Sequence, residues 1–189
     1  MLGGDPVHAI GGDGFYVTTS GCFVTPLSLK RRLSGFTGIV IKGLQVLSAA
    51  GETRLEHIGD LDEYNLSVMR VTGGGTTMAF PLPDQPYKPQ PGEKFLILTH
   101  ERIIGEVESG GEGASAVALT DAWGKQDRVV AYWLKGRFEG ASLMRMSGAP
   151  VVNSRGEAIG LWVGRGPAKD GVFVLPISRA AVQDLLGQC

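Results

Sequence analysis

The chain has 189 residues, with 18 basic and 19 acidic side chains and a net charge of −1. That length fits one domain, or two small barrels sharing a core, and 43% hydrophobic residues is ordinary for a globular chain. The balanced charge excludes the basic footprint of a nucleic-acid or anionic-membrane binder, and the one basic run, Lys30-Arg31-Arg32, reads as a solvated turn.

Twenty-nine glycines and ten prolines break the chain too often for long helices, so it reads as all-β. No apolar run reaches the roughly 18 residues of a membrane span, and no signal peptide opens the chain, so no membrane insertion is expected. In chain order, strands are expected over Val7–Ile10 and Phe15–Thr19, then Cys22–Thr25 after a tight turn at Ser20-Gly21. Gly38–Lys42, Leu44–Ala49, Thr53–His57, Leu66–Val71 and Thr76–Phe80 follow, with a hairpin turn at Gly51-Glu52. Short strands at about 8–12-residue spacing suggest a small barrel or sandwich.

Pro81–Gly92 holds five prolines in twelve residues and cannot be a sheet centre or helix interior. It reads as a linker between an N-terminal unit, 1–80, and a second unit, 93–177. The second unit is expected to carry strands at Phe95–Leu98, Arg102–Glu108, Ala116–Thr120, Arg128–Leu134, Val151-Val152, Ala158–Val163 and Val172–Leu175. Gly73–Gly75 and Gly110–Gly113 read as glycine loops. Ser178 can cap a helix over 178–187 that shows Val182, Leu185 and Leu186 on one face, with Gly187 just past its end. Cys22 sits in the apolar run Cys22-Phe23-Val24 and Cys189 is the last residue, so a disulfide between a core strand and a frayed end is not expected.

Arg145-Met146-Ser147-Gly148-Ala149-Pro150-Val151-Val152-Asn153, followed by Glu157-Ala158-Ile159-Gly160, resembles the nucleophile loop of trypsin-type serine proteases, usually Gly-x-Ser-Gly-Gly-Pro-Val. Gly12 to Thr25 is similar to the opening hairpin of HtrA-type protease domains, and Asn65-Leu66-Ser67-Val68-Met69-Arg70-Val71 to their Asp-Leu-Ala-Val-Leu-Lys-Val. Gln90-Pro91-Gly92-Glu93-Lys94-Phe95 is similar to the entry of their second barrel, and Gly171-Val172-Phe173-Val174-Leu175-Pro176-Ile177 to its close. The resemblance implies two six-stranded antiparallel β-barrels with a short C-terminal helix. By analogy it also implies an extracytoplasmic location and allows an oligomer, since HtrA-type proteins often trimerise.

Carried over by position, the resemblance puts Ser147 at the nucleophile, Ser28 where the histidine should stand, Asn65 at the aspartate and Arg145 at the glycine of the oxyanion hole. A serine hydroxyl is a poor nucleophile without an adjacent base, and Ser28 has no useful basicity. Asn65 cannot stabilise an imidazolium, and Arg145 lacks glycine's freedom at positive φ. The expectation is a pseudoprotease that binds a peptide or protein, by strand addition at an edge over Ile159, Gly160, Leu161, Trp162, Val163 and Gly164.

Two other uses of the fold stand beside it. One is a protease in which His100 or Lys94 serves Ser147 as base. The other is metal binding, as in magnetosome-associated members of the clan. His8, His57 and His100 are isolated, without His-x-His or Cys-x-x-Cys spacing, so no metal site and no cofactor is assigned. Asp60, Asp62 and Glu63 read as a solvated acidic turn, and Trp123, Trp133 and Trp162 as barrel core or rim.

Overall fold

The computed structural model describes residues 14–27, 45–48, 51–72, 79–98, 103–120, 126–138, 147–165 and 170–189. In the first half, β1 (Phe15–Tyr16), β2 (Cys22–Pro26), β3 (Gln45–Ser48), β4 (Gly51–Leu61) and β5 (Leu66–Thr72) form an antiparallel sheet in the order β1-β2-β5-β4-β3. In the second half lie β6 (Lys94–Leu98), β7 (Ile103–Ser109), β8 (Ser115–Thr120), β9 (Gln126–Phe138), β10 (Pro150–Val152), β11 (Ala158–Arg165) and β12 (Gly171–Pro176). Their order is β12-β11-β10-β6-β7-β9-β8, and pairing of β12 with β9 closes six of them into a barrel, with β8 outside the ring.

The expectation of two six-stranded barrels is thus met in the second half. Among the described residues the first half is a five-stranded sheet. Val7–Ile10, Gly38–Lys42 and Gly73–Gly75 lie outside the described residues. Phe15–Thr19 is strand only at its first two residues, because Val17 onward turns back, with the Val17 N–H on the Cys22 carbonyl. Of Thr76–Phe80 only residues 79 and 80 are described, and they form no strand.

The apolar runs of β10, β11 and β12 are continuous because these strands are buried on both faces. Val151, Ile159, Trp162 and Val174 fill the barrel with Phe95, Ile97 and Leu134. Their sequence neighbours Val152, Leu161 and Leu175 point the other way and pack on Phe15, Val24, Leu66 and Val68 of the first sheet. One core therefore lies inside the barrel and the other between the halves. Gly160 lets strands approach: a Cβ there would sit 2.3 Å from the Leu175 carbonyl oxygen.

The proline-rich segment is a hydrogen-bonded seam rather than a free tether. The Phe80 N–H donates to the Tyr16 carbonyl and the Ala158 N–H to the Pro81 carbonyl, each at 2.9 Å. Leu82 is buried in the shared core. The Tyr132 hydroxyl, pushed up to about 12 by burial and so neutral, donates to the Tyr87 carbonyl. The seam also caps the helix α1 (Arg179–Leu186). Arg179 and Ala180 N–H groups reach the Pro83 and Asp84 carbonyls at 2.8 and 3.1 Å, and Ser178 Oγ accepts from Ala181 N–H at 3.3 Å.

The helix corrects the reading of the cysteines. Val182 is buried, Leu185 lies over Gly59 of β4, and the Arg70 guanidinium donates to the Gln188 carbonyl. Arg70 is the register partner of Cys22. The C-terminal segment is thus laid against the first sheet, and Cys22 and Cys189 form a disulfide with their Cα atoms 5.7 Å apart. The sequence suggested a frayed end because the anchor comes from side chains far away in the chain.

Candidate active-site seam

The turn that carries Asn65 is built by three exposed or half-exposed residues and closed by backbone bonds. Asp62–Tyr64 make one 3-10 turn that ends on Asn65, whose φ of 53° and ψ of 40° are left-handed. It is the only non-glycine residue with positive φ among the described residues. Asparagine tolerates this conformation better than most side chains. The Asn65 N–H donates to the Asp62 carbonyl at 3.2 Å, and the Asn65 carbonyl accepts from the Leu27 N–H at 2.8 Å. Pro26 faces Leu66 in the ladder, so the chain leaving β2 runs directly beside Asn65. Asn65 is 7% exposed, and its amide nitrogen Nδ2 is buried with no acceptor. A buried orphan donor of this kind costs about 1–3 kcal/mol. Ser28, one residue past Leu27, lies outside the described residues, as does Arg145.

Ser147 is half-buried on the tight turn before β10. Gly148 holds φ at 109°, a value open to glycine and strained for other residues. Its N–H donates to the Trp162 carbonyl at 2.7 Å, and the Trp162 N–H returns to the Ala149 carbonyl at 2.9 Å. The turn is therefore the first rung of the β10–β11 ladder. The Asn65 turn and the Ser147 turn leave strands whose apolar residues, Leu66 on one side and Val152 and Leu161 on the other, belong to one shared core.

The two candidate bases fare differently. Lys94 is exposed and ion-paired to Glu106 at 2.9 Å, and that hydrogen bond raises its pKa, the wrong direction for a base. By register it also stands at the far end of β10 from Ser147, about 20 Å away at the usual rise per strand residue. His100 lies outside the described residues, as do His8 and Trp123. Trp162 is core, its indole N–H on the Gly164 carbonyl at 2.8 Å, whereas Trp133 is half-exposed on the outside of β9.

The acidic turn divides. Asp62 and Glu63 are exposed. Asp60 is instead the hub of a polar cluster that the sequence reading missed. Its Oδ1 accepts from the fully buried Ser67 hydroxyl and meets His57 Nε2, both at 2.8 Å. The order, serine to carboxylate to imidazole, leaves no imidazole on the serine. Ser67 has no access to a substrate, so the cluster braces the strand leading to Asn65. Asp60 and Ser67 are register partners across β4 and β5, a pairing that no local sequence pattern announces.

The edge expected over Ile159–Gly164 is narrower than that span. Ile159 to Trp162 are flanked by β10 on one side and β12 on the other. β10 begins at Pro150, opposite Leu161, and the turn before it bonds as far as Trp162, so only Val163 and Gly164 run beyond those bonds, with a register shift against β12 between Trp162 and Gly164. Gly164 approaches Leu119 of β8, 4.0 Å from where its Cβ would be. Among the described residues, no group of three or more His, Cys, Asp or Glu side chains converges on a metal position, and no helix is long and apolar enough to cross a membrane.

No family model and no curated protein matches the chain. Solved structures do. The Rv3671c protease of M. tuberculosis in its active form superposes with a TM-score of 0.61 at 15% identity, over 93% of this chain and 72% of that one. The MamO protease domain of Magnetospirillum magneticum gives 0.58 at 18% identity, over 95% and 93%. Deg5 gives 0.56 at 17% identity, over 88% and 78%. The fold is that of HtrA-type, trypsin-like protease domains.

Proposed function

We propose that this chain is a catalytically inactive trypsin-like domain that binds an extended segment of a peptide or protein partner, as a scaffold or regulator. The observation that carries this reading is Asn65. At the position where the resemblance calls for the acid, the chain has an amide, buried, with its Nδ2 unpaired. Such a group carries no charge to balance an imidazolium, and its unpaired Nδ2 is a donor where a carboxylate would offer only acceptors. Beside it the backbone leads to Ser28, where the base should be.

Ser147 in this reading is kept in place by ladder geometry: the turn that presents it also supplies the Gly148 N–H to Trp162. The binding edge is Val163 and Gly164, the unflanked continuation of Ile159, Gly160, Leu161 and Trp162, where a partner backbone adds antiparallel. A two-barrel plan belongs to this reading, supported by the closed second barrel and the five-stranded first sheet. The Cys22–Cys189 bond supports work in an oxidising, extracytoplasmic compartment.

The test is fluorophosphonate labelling read by intact mass, with Ser147→Ala and His100→Ala beside the wild type. No adduct on folded protein is expected. A stoichiometric adduct that Ser147→Ala abolishes would overturn inactivity, and its loss in His100→Ala as well would identify the replacement base.

A further inference from the structure

Sheet edges are templates for further strands, and most natural edges are short, charged, bulged or covered. The end strand β1 follows that rule: it has two residues, and its Tyr16 carbonyl is taken by the Phe80 N–H. β8 does not. It is the last strand of the seven-stranded sheet, paired to β9 on one side, with no strand on its other side among the described residues. Its six residues, Ser115-Ala116-Val117-Ala118-Leu119-Thr120, contain no charge, proline or glycine. Its pairing with β9 runs without a register shift from Ser115 opposite Ala131 to Thr120 opposite Gln126.

The strand is also held from beneath. Val117 and Leu119 pack with Val129 and Ala131 on the core between the halves. The opposite face is left open: Ala116, Ala118 and Val130 are exposed there, Val130 at 46%. A straight, supported, uncharged edge beside an exposed apolar face is an interface in waiting.

We propose that β8 is a self-association surface, where a second copy of this chain pairs antiparallel, strand to strand, to form a continuous β9-β8-β8-β9 sheet. Charge selects this occupant. A two-fold axis through Val117 sets Val117 against Val117 of the copy, Ala116 against Ala118 and Ser115 against Leu119. Faces match at every pair because the opposed positions share parity, and no like charges meet. Arg128, an exposed charge on β9, lies across from Ala118 and so stays one strand away from the new seam in each copy. The two Val130 side chains extend the apolar outer face on either side. Nothing on β8 offers a charged peptide a counter-charge, whereas its own sequence fits at each position.

Sedimentation over a concentration series tests this on the full chain, with hydrogen exchange on residues 115–120. The expected result is a mass that doubles with concentration while the β8 amides become protected. Ala118→Lys, at an exposed position, sets lysine against Ala116 of the copy and returns the protein to monomer. The double variant A116E/A118K then places opposite charges across the seam and restores the dimer, which separates loss of pairing from loss of folding. A wild type that stays monomeric throughout, or a dimer indifferent to A118K, overturns the proposal.

Discussion

The barrel half and the sheet half treat their site residues differently. Ser147 stands on a turn that the barrel needs: Gly148 and Ala149 make the first bonds of a ladder whose strands are buried on both faces. Asn65 stands on a turn that needs only its backbone, since its carbonyl and N–H carry the bonds and its amide nitrogen carries none. The Ser147 turn is thus fixed by packing whether or not its serine reacts, and on the proposed reading it is the rim around Asn65 that distinguishes an inactive domain from a working one.

The contrast can be broken from its strong side first. Trp162→Ala empties a fully buried site inside the barrel and should cost about 3–5 kcal/mol, read by denaturant midpoint. A loss under about 1 kcal/mol would mean the barrel interior relaxes freely and is not what holds the Ser147 turn. Next, Cys22→Ser or reduction should cost about 2–4 kcal/mol, since the bond closes a loop of 167 residues between the first sheet and the chain end. An unchanged midpoint under reductant would show that α1 docks without it.

On the rim, Asn65→Gly removes both the left-handed strain and the orphan amide. It should be neutral or stabilise by up to about 1 kcal/mol, by thermal melting. Destabilisation beyond that would reveal a partner for the amide and weaken the inactive reading. Asn65→Asp alone should not create fluorophosphonate labelling, because position 28 still lacks a base. The smallest effect lies at the β10–β11 turn. Asn153 Nδ2 donates to Glu157 at 2.8 Å and, with Arg155, lowers the Glu157 pKa from its ordinary 4.5. A depressed folded-state value gives stability that is present above 4.5 and lost as pH falls through the folded value, so Glu157→Gln should flatten only that acid limb of a melting-versus-pH curve.

Much of the strand plan was legible because the cues are local. Alternation and turn residues place β2, β5 and β6 within a residue or so, and Ser178 announces α1. Continuous apolar runs at Val151-Val152 and Ala158–Val163 gave away strands but not which strands flank them, and the edge over Ile159–Gly164 came from the resemblance, whereas Ile159–Trp162 are paired on both sides. The disulfide was illegible for the same reason. It depends on Arg70 gripping the Gln188 carbonyl and Leu185 lying over Gly59, contacts that no local pattern encodes. The Asp60 hub was hidden in a charge run, where two neighbours are indeed solvated. The site positions came from resemblance rather than periodicity, and the geometry adds the orphan amide that no sequence shows.

The bond between Cys22 and Cys189 has one more consequence. It makes nearly the whole molecule a single covalent ring: both halves, the proline seam and every loop between them. A protease that nicks the Gly110–Gly113 loop would open the ring without releasing a fragment. The two pieces would travel together on a denaturing gel and part only when reductant is added.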